Sequence, residues 1–298
     1  PIAPELPLSR ELIFNILLPP LVFEAALQLD WRRFRDELVL TLTLAFLGVG
    51  IAGTVEAAGM HYVIGWSWIG AALFGALIAA TDPVSVIAAF REMKAEKRLS
   101  MVVESESLLN DGAAAACFAV LLAFAGGGSQ GPIASMIAFL WATFGGVLTG
   151  LTISGLAILI AGRTDDHLIE ITLTTVAAYS SFLVAEHFHA SGVIAALTSG
   201  LTIGRFGQSI FAADEGPLIL SLWEYVAFLA NSLVFILIGM NEASQPLREF
   251  ASLAAVGAVA LVLLGRAVSI YPLALLFSRS RWRLPMPYQH ILFWGGLR

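Results

Sequence analysis

Two aspartates stand where hydrocarbon is expected. Asp111 lies ten residues into the apolar stretch Met101–Ala125, within Glu106-Ser107-Leu108-Leu109-Asn110-Asp111-Gly112, and Asp82 lies in Thr81-Asp82-Pro83 of the preceding apolar stretch. An ionisable side chain at a bilayer centre costs roughly 2.5–3.5 kcal/mol on insertion scales, so its default reading is functional. Two such acids on adjacent segments suggest a path for a cation. Ser107 and Asp111, one helical turn apart, offer the oxygen ligands that a hard monovalent cation prefers.

At about 100° per residue, Glu104, Ser107 and Asp111 fall in one narrow arc of a helix, while Glu106 and Asn110 share a neighbouring face. Glu106 therefore asks for a cationic partner. Among 16 Lys and Arg, only Arg266 lies deep within an apolar span, and a Glu106–Arg266 pair would cancel two otherwise costly buried charges. Pro83 removes a backbone donor and clashes with the preceding turn, so the helix should kink or unwind near Asp82, with Thr81 adding a hydroxyl. Unwound backbone at membrane depth is tolerated where it is buried in protein or lines a wet cavity, which is the usual transporter device for exposing carbonyls to an ion. Glu24, after Pro19-Pro20-Leu21-Val22-Phe23, is either a pathway acid or a residue snorkelling to the cytoplasmic edge. Glu56, Glu186 and Glu224 read as interfacial, and Ser191 and Asn231 as polar contacts between helices.

The elements that must position these residues are membrane helices. With 58% hydrophobic and 13% charged residues and a mean hydropathy of +0.84, the chain is far more apolar than a soluble domain with about 25% charge. Candidate spans are Glu11–Leu27, Leu38–Ala58, Ser67–Phe90, Met101–Ala125, Ile133–Gly162, His167–His187, Ser191–Arg205, Leu218–Met240 and Ala251–Ser278, with another starting at Tyr288. Stretches such as Leu253–Leu264 are apolar on all sides, against the alternation of a β-barrel. The expectation is an all-α, multi-pass protein with one transport domain over residues 1–298, about nine spans plus the start of another. Gly126-Gly127-Gly128-Ser129-Gln130-Gly131-Pro132 reads as an external turn.

Charge gives an orientation. The loops Gln28–Glu37, Arg91–Ser100, Arg163, Arg205 and Arg279–Leu284 hold twelve Lys and Arg, whereas the intervening loops hold Arg248 alone. The positive-inside rule then runs the first span from outside to inside. Trp66, Trp68, Trp223, Trp282 and Trp294 lie near span ends and read as interfacial anchors. Cys117 is a lone cysteine within an apolar helix, which leaves no disulfide framework or thiol metal site. The five histidines sit near span ends without a helical pair at metal-ligand spacing, and there is no phosphate loop, no nucleophile elbow and no basic patch of nucleic-acid size. No enzyme and no cofactor is expected, nor any metal beyond a transported cation.

The chain resembles the sodium/proton exchanger family, the monovalent cation:proton antiporter branch with an Asn-Asp motif. The resemblance rests on Leu18-Pro19-Pro20-Leu21-Val22-Phe23-Glu24, Ala80-Thr81-Asp82-Pro83-Val84, Glu106-Ser107-Leu108-Leu109-Asn110-Asp111, Ala185-Glu186 through Ser191-Gly192-Val193, Gly265-Arg266 and the terminal Phe293-Trp294-Gly295-Gly296-Leu297-Arg298. It implies an inverted-repeat fold of thirteen helices, with a core bundle carrying two crossed discontinuous helices and a dimerisation bundle. It further implies that Asp111 carries ion and proton, that Ser107, Asp82, Thr81 and Asn110 belong to the ion site, that Glu106 and Arg266 form a structural pair, and that Glu24 is auxiliary. Family members continue the second broken helix beyond Gly-Gly-Leu-Arg, so the chain is expected to be truncated at both ends and not to transport in isolation.

The implied activity is exchange of Na⁺, alternatively Li⁺ or K⁺, for H⁺ by a homodimer in the plasma or bacterial inner membrane, electroneutral because Asn110 stands where a second acid would couple another proton. A K⁺/H⁺ antiporter of the same fold is the nearest alternative. A cation channel and a membrane scaffold without transport are the others, and neither explains a broken helix beside two buried acids.

Overall fold

The computed structural model describes residues 12–126, 131–164, 166–207, 216–243 and 253–296. Glu11, Gly127 to Gln130 of the expected external turn, Arg248, and Leu297 and Arg298 of the terminal string lie outside them. Helices are the regular elements among the described residues, in the order α1 (Leu12–Gln28), α2 (Trp31–Ile64), α3 (Trp68–Ile78), α4 (Val84–Met93), α5 (Lys97–Ala125), α6 (Pro132–Ala161), α7 (His167–His187), α8 (Gly192–Phe206), α9 (Gly216–Ala243), α10 (Leu253–Leu276) and α11 (Met286–Gly295). α2, α5, α6, α7, α9 and α10 are long and apolar enough to cross a membrane, while α1, α3 and α8 are shorter apolar helices. The nine expected spans thus resolve into six full-length ones and three shorter ones. α3 is short because its segment breaks before Pro83.

Local chemistry sets the helix ends. Asp30 accepts from the backbone N–H groups of Arg32 and Arg33, at 3.0 and 3.3 Å, and so starts α2 seven residues before the expected Leu38. Its charged first turns continue a helix whose apolar part begins later. Ser67, Asp166 and Ser191 cap α3, α7 and α8 in the same way, each supplying an oxygen to an otherwise orphan N–H. α2 contains two π-type turns, Thr43–Leu47 and Met60–Ile64, and stops at Gly65, whose φ of +89° suits glycine. The 34-residue helix therefore runs well past Ala58, the expected end of that span.

The chain packs as two compact units. Unit one comprises residues up to Gln28 and Phe144–Phe250. There α8 lies so close to α1 that a Cβ on Gly200 or Gly204 would stand 2.5 Å from the Phe23 carbonyl oxygen or 2.6 Å from that of Leu27. Small residues let backbones approach where lipid offers no hydrophobic drive between helices. Its core joins Phe23, Leu27, Ala177, Ile203 and Trp223. Trp223 is buried, packs its ring at a tilt against Phe23 with centroids 4.5 Å apart and donates its indole N–H to Thr174 Oγ1 at 3.0 Å, so it is a core residue and not the interfacial anchor expected from its position. Trp66, Trp68 and Trp294 are exposed.

Unit two comprises Leu29–Thr143 and Ala251–Arg298. Leu40 and Leu44 of α2, Val102 and Val103 of α5, Ile270 and Leu273 of α10 and Leu292 of α11 form its main core. At one end, Arg98 forks onto Glu37 at 2.7 and 3.1 Å and donates to the Arg283 carbonyl at 3.2 Å, while Trp282 donates to the Asp36 carbonyl at 2.8 Å. All the residues singled out for chemistry except Glu24 belong to this unit.

A candidate cation site at the broken helix

After Ala79 the backbone leaves the helix and resumes only at Val84. Pro83 explains this twice over, since it disfavours helical geometry at Asp82 and lacks an N–H of its own. A break inside a membrane leaves backbone groups that must be bonded within the protein. α5 supplies the partners. The Thr81 N–H donates to Asn110 Oδ1 at 3.3 Å, and the Thr81 carbonyl accepts from Ser107 Oγ at 2.7 Å. Asn110 Nδ2 also donates to Thr81 Oγ1 at 2.6 Å and to Glu106 Oε1 at 3.2 Å. Asn110 is 0% exposed, and both of its amide protons are committed.

Arg266 closes the bracket from α10. Its Nη1 donates to Glu106 Oε1 at 3.3 Å, and its Nη2 to the Leu292 carbonyl on α11 at 2.7 Å, with Arg266 and Glu106 each 5% exposed. At the end of α11, a Cβ added to Gly296 would lie 2.5 Å from Arg266 Nη2 and 2.8 Å from Thr81 Cγ2. One added to Gly295 would lie 3.3 Å from Val86 of α4. The C-terminal end of α11 thus meets the break between α3 and α4, and a larger residue at Gly296 would have to displace the Arg266 guanidinium or Thr81.

These bonds define what the site can do. Ser107 spends its proton on Thr81, which leaves its oxygen lone pairs available to a cation. Asp82 and Asp111 follow directly on the two residues, Thr81 and Asn110, that bind each other, and both are partly exposed. The structure therefore brings together Thr81, Glu106, Ser107, Asn110 and Arg266 in one buried network, with the two aspartates at its margin. Glu24 lies on α1 in unit one, where Gln28 donates to its carboxylate.

Sequence reasoning missed two features. It placed Glu56 at an interface, yet the side chain is 0% exposed because α2 continues beyond it for two more turns. It also took the unwound carbonyls as free for an ion, whereas that of Thr81 accepts a serine proton. Glu186 is exposed and donates nothing, but accepts from the Gly192 N–H at 3.0 Å at the start of α8.

Comparison with known sequences sets this geometry in a lineage. The sequence profile of the family described as "Sodium/hydrogen exchanger, transmembrane" matches residues 2–298. The chain belongs to that family. It is 38% identical over 294 residues to the Na⁺/H⁺ antiporter ApNhaP of Aphanothece halophytica, covering 98% of this chain and 56% of that protein. It is 30% identical over 309 residues to sodium/hydrogen exchanger 7 of Homo sapiens, covering 97% of this chain and 43% of that one. The chain thus spans about half the length of the curated relatives it matches most strongly. In fold it matches the sodium proton antiporter MjNhaP1 of Methanocaldococcus jannaschii with a TM-score of 0.76 at 18% identity, over 95% of this chain and 70% of that one. The fold is the discontinuous-helix antiporter fold in an all-α, multi-pass membrane protein.

Proposed function

We propose that this chain forms the ion-translocating part of a secondary antiporter that exchanges Na⁺ for H⁺. The observation that carries the reading is the broken helix whose Thr81 is held by Ser107 and Asn110, with Asp82 and Asp111 beside it; relatives that share this family are named Na⁺/H⁺ antiporters. Ionised Asp111 binds the cation, with Ser107, Asp82 and Thr81 as further oxygen donors. Protonated Asp111 releases it. Each passage of the carboxyl between the two sides of the membrane carries either ion and never both, so opposed gradients are exchanged without ATP.

Asn110 adds no second titratable group beside Asp111, which supports one-for-one, electroneutral exchange. The Glu106–Arg266 pair neutralises itself and holds the bracket, so it takes no part in ion binding. Glu24 is an auxiliary polar group, and the protein works as a homodimer in the plasma or bacterial inner membrane, with its basic loops facing the cytoplasm. K⁺ is the competing cation, because hydroxyl and carboxylate donors alone do not fix cavity size.

The test uses the intact transporter in sealed, acid-loaded vesicles, with internal pH recorded after adding Na⁺ or K⁺. Cation-driven alkalinisation that vanishes in Asp111→Asn supports the exchanger and ranks the two ions. No proton movement would return the scaffold reading, and movement indifferent to Asp111 the channel reading.

A further inference from the structure

A third acid of unit two has no role in the exchange described above. Glu56 sits on α2 between its two π-type turns, is 0% exposed, and has both carboxyl oxygens buried without a hydrogen-bond partner. α10 presses against it so tightly that a Cβ on Gly265 would lie 2.7 Å from Glu56 Oε1. The next residue is Arg266, the charged group that acts on Glu56, and Arg266 Nε is likewise buried without an acceptor. Of the elements packed on α2, α3 carries no titratable side chain, α10 supplies Arg266, with its Tyr271 bonded to His290, and α5 carries Glu104, Glu106, Asp111 and Cys117, of which Glu106 shares Arg266, with Lys97 and the Glu37-bonded Arg98 in its first turn. His61, in the last turn of α2, bonds the Trp66 carbonyl.

One guanidinium thus stands among two carboxyls and is bonded to only one of them. A buried carboxylate with no donor on either oxygen is heavily penalised, whereas the neutral acid is penalised far less. We propose that Glu56 is a second proton-binding site of this unit, distinct from the cation site, whose occupancy decides where Arg266 points. With the proton on, Glu56 is neutral and Arg266 serves Glu106. When the O–H bond breaks and the proton leaves to water, the two unpartnered groups, Glu56 and Arg266 Nε, can pair. That draws the guanidinium from Glu106, which also holds Asn110, and so from the bracket around Thr81. Glu56 acts on the site through Arg266 and is a positioning residue.

The coupling to exchange rests on the function proposed above, but the proton itself can be seen without transport. Infrared spectra of the intact transporter, saturated with Na⁺ so that Asp111 is ionised, are recorded in H₂O and D₂O. The wild type is expected to retain a protonated-carboxyl C=O band that is lost in Glu56→Gln, or in Glu56→Met if the glutamine variant does not fold. A wild type without that band, or variants that keep it whole, would overturn the proposal. Glu56→Gln should still exchange, with any alkaline fall in rate displaced to higher pH; superimposable rate profiles would contradict the coupling. Asp111→Asn separates the two ideas. It should abolish exchange and keep the Glu56 band, whereas exchange surviving in it would sink the reading of Asp111 as the carrier and leave the Glu56 band standing.

Discussion

The two units solve the same problem differently. In unit one the buried hydroxyls mostly turn back on their own helices, as Ser154 does to Gly150, Thr198 to Ile194 and Thr202 to Thr198, and the helices meet through glycines. Unit two has such hydroxyls too, Thr41, Ser105 and Ser269, and a glycine contact at Gly53 and Gly75, but there Ser107, Asn110 and Arg266 also reach between elements, from α5 to the break after α3 and from α10 to both α5 and α11. Self-satisfied hydroxyls permit close packing and need nothing from a neighbour. Inter-helix bonds to a broken backbone hold that backbone in one geometry, and a buried ion pair is weak as a stabiliser but costly to disrupt. The arrangement of unit two fits a site that must present oxygens to an ion, and that of unit one fits a frame.

Substitutions should sharpen this contrast. Replacing Glu106 by Leu leaves Arg266 as a buried charge without its main partner, and should cost the intact transporter about 3–5 kcal/mol in detergent unfolding. The double variant Glu106→Leu with Arg266→Met should recover part of that loss, whereas additive losses would mean the pair is not coupled. Asn110→Ala strands the Thr81 N–H and removes the bond to Glu106, for about 1–3 kcal/mol. It should also weaken apparent Na⁺ affinity, read as the Na⁺ concentration that gives half-maximal exchange. In unit one, Gly200→Leu overpacks the α1–α8 contact by about 1–3 kcal/mol while leaving that Na⁺ concentration unchanged. A shifted Na⁺ dependence there would undo the assignment of the site to unit two. Trp223→Phe removes one hydrogen bond to Thr174 and keeps the ring, so the expected loss in thermal unfolding is smallest, about 1 kcal/mol.

The local features were legible in the chain itself. Pro83 announced the break, helical periodicity placed Ser107 and Asp111 on one face and Glu106 and Asn110 on another, and Arg266 stood out as the deep cation among apolar neighbours. What stayed hidden depended on distance along the chain. Asn110 meets Thr81 across 29 residues, and no periodicity within either segment announces that its amide caps a broken backbone. Trp223 looked like an interfacial ring because its partner Thr174 is 49 residues away on another helix. Glu56 was misplaced because hydropathy ends a span where the apolar residues thin out, whereas the helix continues to Ile64 and carries the acid into the interior.

The central claim is that cation and proton compete for Asp111 at the bracket of unit two. It is tested most directly by counting protons released from the detergent-solubilised intact transporter as Na⁺ is added in weakly buffered solution. The account predicts release that saturates with Na⁺, requires higher Na⁺ as pH falls, and disappears in Asp111→Asn. Undiminished release from that variant would place the competition elsewhere and contradict the account.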